Sequence, residues 1–473
     1  MRLHASWIVV SYAIGIIVGD IIAMILKPTF FENIIWVILS ILILVFAILI
    51  SKPATVAASL FAGVLLIFNR SAPIFISENY TKTLIGENIT ITAQVIKDPE
   101  ENAGKKKLTL KNEALGKLSA EVPRADIKRS DFVTISGKLN EGSGSFAGYI
   151  YQPSVEEISR PEPGDLFLKF RDFFADGIKK HLPTKEAGLG TGYLLGQKSG
   201  VDKSFQESLR TVGLTHIIVA SGAHLGALIG FARKIFGRFS RLASLLSGGI
   251  FTLLFIGITG LSASMLRAGL VTGLSLIAWY FGRKIHPVRV ILLAAAATLV
   301  VSPEFLLDMA WQLSFASFSG ILVIAPIFIR IFHGKNQKPG FLSGTLISSA
   351  AAALLCTPIL IYDYGSVSLI SIFVNLLVLP TVSFAMGLTF LTGFSAIFMP
   401  FLADFISFVN KMLLDYQIWI VEFFGSKKEF LLELPKNNPL VFLAYVPIIG
   451  FTVFWLIKIR RQEIKFLCLR NFA

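Results

Sequence analysis

Apolar runs of near-membrane length alternate with short polar loops along most of this chain, and one segment breaks the rhythm. Ala5 to Leu26, Ile34 to Ile50 and Pro53 to Phe68 are continuously apolar, each near the ~20 residues that a membrane-crossing helix needs. Between Glu78 and Arg160 the pattern becomes alternating. Asn88 to Lys97, Lys105 to Lys111, Leu115 to Glu121, Asp131 to Leu139 and Tyr149 to Ile158 read as short strands separated by turn signals such as Asp98-Pro99 and Glu141-Gly142. Five such strands fit a small barrel of the OB type. Leu166 to Leu182 then sets Leu166, Phe167, Phe170, Phe173, Phe174 and Ile178 at helical spacing against Lys169, Arg171, Asp172, Asp176, Lys179 and Lys180. That predicts an amphipathic helix, lying in a membrane interface or packed on the barrel.

Apolar runs resume at Thr215 to Phe231 and continue through Leu242 to Ile258, Met265 to Phe281, Val288 to Val301, Phe305 to Phe332, Leu342 to Ile361, Leu369 to Leu379, Val382 to Phe398 and Pro439 to Ile457. Ala403 to Phe424 mixes aromatics with Asp404, Asn410, Lys411, Asp415, Gln417 and Glu422, an interfacial pattern. The fold class expected is a polytopic α-helical membrane protein of about twelve spans with an inserted, extracytoplasmic OB-like barrel. Its divisions are N-terminal helices (1–70), the β domain (78–160), the amphipathic helix and connecting loop (165–212), a second helical membrane domain (213–460) and a basic tail (461–473).

Composition agrees: 54% hydrophobic and 16% charged residues, with a mean hydropathy of +0.70, set the chain apart from soluble folds, whose charged share is nearer ~25%. The net charge of +14 does not identify a cargo, because the cations cluster in loops: Arg233/Lys234/Arg238/Arg241, Arg283/Lys284/Arg289, Arg330/Lys335/Lys338 and Lys458/Arg460/Arg461. Placing those loops inside puts both termini in the cytoplasm and the barrel outside. Cys356 and Cys468 make no disulfide framework. Arg2 and the first apolar run, without a small-residue cleavage site, read as a retained anchor. In the barrel Lys105, Lys106, Lys107, Arg124, Lys128 and Arg129 are offset by carboxylates, and Phe132, Phe146, Tyr149 and Tyr151 suit its core. A structural spacer is therefore expected over a DNA grip, which needs exposed rings.

Candidate chemistry concentrates in GLTHIIVASGAHLG, Gly213 to Gly226, which sets two histidines and a serine in an otherwise apolar run. Polar groups there are costly unless they face protein or water. Close packing of small residues, with Ser221 bonded to a neighbour's backbone, is the structural alternative. Arg267 lies within another apolar run, and Asp308 and Gln312 stand one helical turn apart in a third. An Arg267–Asp308 ion pair is expected, either lining a pathway or only specifying the fold.

The same stretch resembles the G-L-x-H-L-x-x-x-S-G-x-H-x-G pattern of ComEC-type competence proteins, the membrane channels of natural transformation. Leu195-Gly196-Gln197-Lys198 and Phe205 to Val212 resemble that family's upstream turn and short helix. TGLSASMLRAG (Thr259 to Gly269), WQLSFAS (Trp311 to Ser317) and NLLVLPTVSF (Asn375 to Phe384) resemble its downstream motifs in the same order. The resemblance implies a conduit for single-stranded DNA across the cytoplasmic membrane. It makes Ser221, His224, Arg267, Asp308, Gln312 and Asn375 candidates for lining or shaping the route, with His216 at the outer mouth. It also implies membrane lipid, an outer DNA receptor and a cytoplasmic motor or helicase as partners, and is compatible with a homodimer.

Longer family members carry a metallo-β-lactamase-like domain with an H-x-H-x-D-H motif, and no histidines here have that spacing. The expectation is therefore a non-enzymatic protein with no metal and no cofactor. No G-x-x-x-x-G-K-[ST] motif is present, so energy must come from a partner or a gradient. Two alternatives stay open. A small-solute transporter would use the same intramembrane charges and broken helices. An intramembrane hydrolase would pair Ser221 with His224, but no third group to orient them is evident.

Overall fold

The computed structural model describes residues 2–27, 40, 52–102, 105–123, 125–142, 146–161, 165–197, 201–218, 222–260, 262–283, 286–334, 339–452, 454, 455 and 458. The predicted run Ile34 to Ile50, apart from Ser40, lies outside the described residues, as do Ser221 and the basic tail. In chain order the helices are α1 (Arg2–Leu26), α2 (Lys52–Thr83), α3 (Leu166–His181), α4 (Thr184–Leu195), α5 (Lys203–Thr211), α6 (Gly222–Phe236), α7 (Arg241–Thr259), α8 (Ala263–Tyr280) and α9 (Pro287–Val301). They continue with α10 (Met309–Ser319), α11 (Ala325–His333), α12 (Phe341–Tyr364), α13 (Ser371–Phe398) and α14 (Pro400–Gly425). Among the described residues six helical segments are long and apolar enough to cross a membrane, and two more are apolar but shorter. Two compact units emerge, Met1–Val201 with Ile218–Trp311 and Met386–Asn410, and Asp202–Ile217 with Gln312–Ala385 and Lys411–Ala473.

In the first unit α1 packs on α2. Helix α2 does not stop at Phe68, as the apolar run suggested, but continues to Thr83 with Pro73 inside it. Arg70 explains the continuation. Its guanidinium donates to the Val300 and Val301 carbonyls at 2.9 and 3.2 Å, satisfying groups that the end of α9 would otherwise leave orphaned.

The β domain has strands β1 (Asn88–Val95), β2 (Glu100–Asn102), β3 (Lys105–Asn112), β4 (Gly116–Pro123), β5 (Phe132–Glu141) and β6 (Gly148–Ser159). The five long strands close into a barrel in the order β1-β3-β4-β6-β5-β1, β2 being an extra edge on β3. All pairings are antiparallel except β4 with β6, where Leu118, Ser119 and Ala120 pair with Gly148, Tyr149 and Ile150. Alternation drives this closure, because every second side chain points inward. The resulting core is aliphatic: Val95, Leu108, Leu110, Leu118, Val122, Val133, Ile135, Leu139 and Ile150 are all buried. The expectation of aromatics in that core is corrected. Phe132 and Tyr151 are exposed, and Phe146 and Tyr149 are half-buried.

Helix α3 starts at Asp165, whose carboxylate accepts from Leu168 N–H at 3.0 Å, an N-cap. It buries Leu168, Arg171, Phe174, Ala175 and Ile178, with Phe174 stacked on Phe390 of α13, and exposes Phe167, Phe170 and Phe173. Helices α6, α7 and α8 pack on one another around Leu225, Ile229, Phe255, Met265, Ala268 and Leu276, and the short connections between them make neighbours antiparallel.

In the second unit α10 passes through a π-helical stretch, Gly320–Ile324, into α11. The stretch falls where a Cβ on Gly320 would meet the Ala351 carbonyl of α12. Strands β7 (Ser366–Ser368) and β8 (Leu431–Glu433) pair antiparallel. Two apolar runs expected on either side of Pro380 are one helix, α13, which keeps Pro380 inside; membrane helices tolerate proline because neighbours can re-satisfy the freed backbone groups.

Candidate functional site

The signature motif begins α6 and the TGLSASMLRAG motif links α7 to α8. Because neighbours in this trio run antiparallel, the start of α6, the end of α7 and the start of α8 share one end. Helix α8 is capped there by Ser262, whose Oγ accepts from Met265 N–H at 3.3 Å. One turn further in stands Arg267, 7% exposed. It lies against the signature: a Cβ on Gly222 would fall 2.9 Å from Arg267 Nη2. His224, 4% exposed, follows on α6, with its ring 5.7 Å from that of Tyr193 on α4.

The barrel attaches at this same end. Arg129 donates to the carbonyls of Gly257 and Ile258 in the last turn of α7, at 3.2 and 3.5 Å, and binds Asp165, the α3 cap, at 3.0 Å. Gly260 has φ +90°, and a Cβ there would lie 2.7 Å from Arg129 Nη1. The positive φ favours glycine in the TG pair, and a side chain there would displace the Arg129 guanidinium.

A second polar chain runs from the barrel to the turn before the signature. Asp98 receives both arms of Arg171 at 2.6 and 3.1 Å. Arg171 also reaches Asp172 at 3.3 Å, and Asp172 accepts from Gln197 Nε2 at 3.0 Å. Gln197 is buried, its Oε1 without a hydrogen-bond partner.

Of the predicted residues, His224 is buried on α6 and Arg267 on α8, while Ser221 lies outside the described residues. Three others belong to the second unit. His216 is exposed in the 3₁₀ turn Thr215–Ile217. Gln312 is half-buried on α10, and Asn375 on α13 holds a buried Oδ1 with no hydrogen-bond partner.

The expected Arg267–Asp308 pair is corrected. Asp308 stands outside the helix as the N-cap of α10, accepting from Ala310 and Trp311 N–H at 2.8 and 3.2 Å. Its charge acts on Lys117 of β4 instead. There burial, then the charge of Lys97, pushes the ammonium below the ordinary lysine range against the opposing pull of Glu304 and Asp308.

Sequence reasoning missed Arg129, Asp165 and the Asp98–Arg171–Asp172–Gln197 chain. One signal was available: Arg171 falls within the stripe Leu168, Phe174, Ala175, Ile178, and a charge on an apolar face needs a buried partner. Among the described residues, no three His, Cys, Asp or Glu side chains come together as a metal site requires.

Residues 193–459 match the model of the family described as Competence protein. The chain belongs to the ComEC-type competence family. It is also similar to ComE operon protein 3 of Bacillus subtilis (strain 168), 26% identical over 277 residues, covering 55% of this chain and 34% of that protein. The alignment thus spans about a third of the relative's length. No solved structure matches. The family match begins at Tyr193, the ring against His224, and takes in Arg267 and all the other predicted site residues, whereas the barrel lies before it.

Proposed function

We propose that this chain is the conduit through which one strand of DNA crosses the cytoplasmic membrane in natural transformation. The observation that carries the reading is the guanidinium of Arg267, buried among membrane helices and laid against the glycine that opens the signature helix. A charge placed in hydrocarbon is costly and commonly marks an ion or substrate pathway. A polyanion needs such a route because phosphates cannot enter hydrocarbon, and it must bind weakly enough to be released. Ser221 and His224 are assigned to shaping the route at Arg267, while His216, Gln312 and Asn375 are carried as candidates by the family resemblance. His224, packed on Tyr193, is given no catalytic step.

The strand order of the barrel supports an OB-like domain, which we place outside the cell with both termini in the cytoplasm. About twelve spans accommodate the apolar runs on this reading. Phe132 and Tyr151 sit six residue steps apart along the β5–β6 pair, since Phe132 faces Ser159 while Tyr151 faces Lys138. That separation of roughly 20 Å is too wide for neighbouring stacked bases. The barrel is therefore assigned to holding the signature end of α6–α8 rather than to gripping DNA. An outer receptor and a cytoplasmic motor complete the system.

The test is internalised labelled DNA in the source organism, comparing wild type, a deletion strain and the deletion complemented with Arg267→Ala or Arg267→Lys. Arg267→Ala should lower uptake by about tenfold or more, since one lost charge-assisted phosphate contact accounts for roughly 1.4 kcal/mol or more. Arg267→Lys should restore part of it. Uptake undiminished in the deletion strain favours a small-solute transporter.

A further inference from the structure

The far end of α6, α7 and α8 carries none of the residues assigned to the route, yet it holds an open cavity of about 450 Å³. The last turn of α6 supplies Arg233, Lys234 and, just beyond it, Arg238; α7 supplies Ser244 and α8 supplies Trp279. The lining contains no carboxylate, and the sequence has none between Glu207 and Glu304. Arg233 is held over the Trp279 ring, 4.4 Å from its centroid. Ser244 is 1% exposed and its Oγ has no hydrogen-bond partner. Three cations and an unsatisfied buried hydroxyl around one cavity call for an anion with several acceptor oxygens.

We propose that this cavity binds the phosphate of an anionic phospholipid headgroup. Lipid is favoured over a soluble phosphate because the same helix ends expose Phe231, Ile235, Phe239, Leu242 and Phe281, which acyl chains would cover. Tryptophan at the end of a membrane helix suits the headgroup level. Basic pockets between membrane helices on the cytoplasmic side meet a leaflet rich in anionic lipid, and the loop cations place this end there. The site would anchor the last turn of the signature helix whether or not DNA passes its other end.

Gly230 provides the decisive variant. It lines the cavity, and a Cβ on it would meet nothing within 4 Å, so the side chain of Gly230→Leu starts into open space and improves helix propensity. Full-length protein, delipidated in detergent, is titrated with phosphatidylglycerol or phosphatidylcholine of equal chain length and read by native mass spectrometry, with a short oligothymidylate as competitor. Wild type should prefer phosphatidylglycerol by about tenfold or more, three cations contributing together. Arg238→Ala should weaken that lipid by about fivefold, and Gly230→Leu should abolish the preference at unchanged melting temperature. Variants that bind phosphatidylglycerol as wild type does overturn the site. Displacement of the lipid by oligothymidylate overturns it equally, giving the cavity to nucleic acid.

Discussion

Arg129 of the β barrel donates to the main-chain carbonyl of Gly257 at 3.2 Å, so a side chain of one domain closes the end of a membrane helix of another. The last carbonyls of α7 need donors, and a cation there also suits the helix dipole. Since Arg129 also binds Asp165, one guanidinium ties the barrel, α3 and α7 together. Arg129→Ala leaves the Asp165 carboxylate without its cation in a largely buried place, and should destabilise the protein by about 3 kcal/mol. Arg129→Lys should recover only part, lacking the planar fork. Thermal unfolding in detergent measures both, and a melting temperature unchanged in Arg129→Ala would show that the barrel is held elsewhere.

Acid should loosen the same joint. Burial alone would raise the Asp165 carboxyl, but the Leu168 N–H and the Arg129 guanidinium, helped by Ser130, outweigh it and hold it below the ordinary carboxylate range. A carboxyl depressed in the folded state contributes stability above its unfolded pKa, and that stability is lost as pH falls through the folded value. The loss therefore begins near pH ~4 and deepens below it. Limited proteolysis of the barrel across this range should show a step that Asp165→Asn removes; an identical acid profile in that variant assigns the step to other carboxylates.

Gly222 separates folding from function. A Cβ there meets the flexible tip of Arg267 at 2.9 Å and Ala268 Cβ at 3.3 Å, so Gly222→Ala displaces the guanidinium more readily than it disturbs the helices. Membrane insertion and melting temperature should stay near wild type while DNA uptake falls several-fold. Normal uptake in a correctly inserted Gly222→Ala protein would mean that the position of Arg267 does not matter to transport.

Much of this was legible in the sequence because the barrel and the long helices rest on opposite periodicities. Strand alternation foretold all five barrel strands to within about two residues, and Arg241–Thr259 and Ala263–Tyr280 followed their apolar runs closely. Errors came where a side chain acts at a distance. Arg70, just beyond the apolar run that ends at Phe68, serves the carbonyls of α9 and lies within a continuing helix. Pro380 looked like a break and sits within α13. Asp308 looked like an intramembrane charge and is a helix cap. In the candidate site, letters supplied His224 and Arg267 but not Tyr193 or Arg129, since nothing local announces which ring or which guanidinium the fold will bring across.

Helix α14 carries the last prediction. Its sequence is amphipathic, as expected, and the charged Asp404 and Glu422 are exposed, but the uncharged Asn410 and Gln417 are buried, donating to Thr389 at 3.0 Å and Thr381 at 2.8 Å. Phe401, Phe405, Phe408, Met412, Tyr416, Trp419 and Phe423 are exposed at three- and four-residue intervals, one continuous face of the helix. Such a stripe in water would be an aggregation hazard, whereas polar bonds inside and rings outside suit a helix bathed in lipid. In vesicles containing doxyl-labelled lipid, Trp419 should be quenched, and Trp419→Phe should remove a clear share of the total quenching. Asn410→Leu should cost about 1–2 kcal/mol in melting experiments by removing a buried interhelical bond. If Trp419→Phe leaves lipid quenching unchanged, the aromatic face meets protein instead, and a partner must cover it.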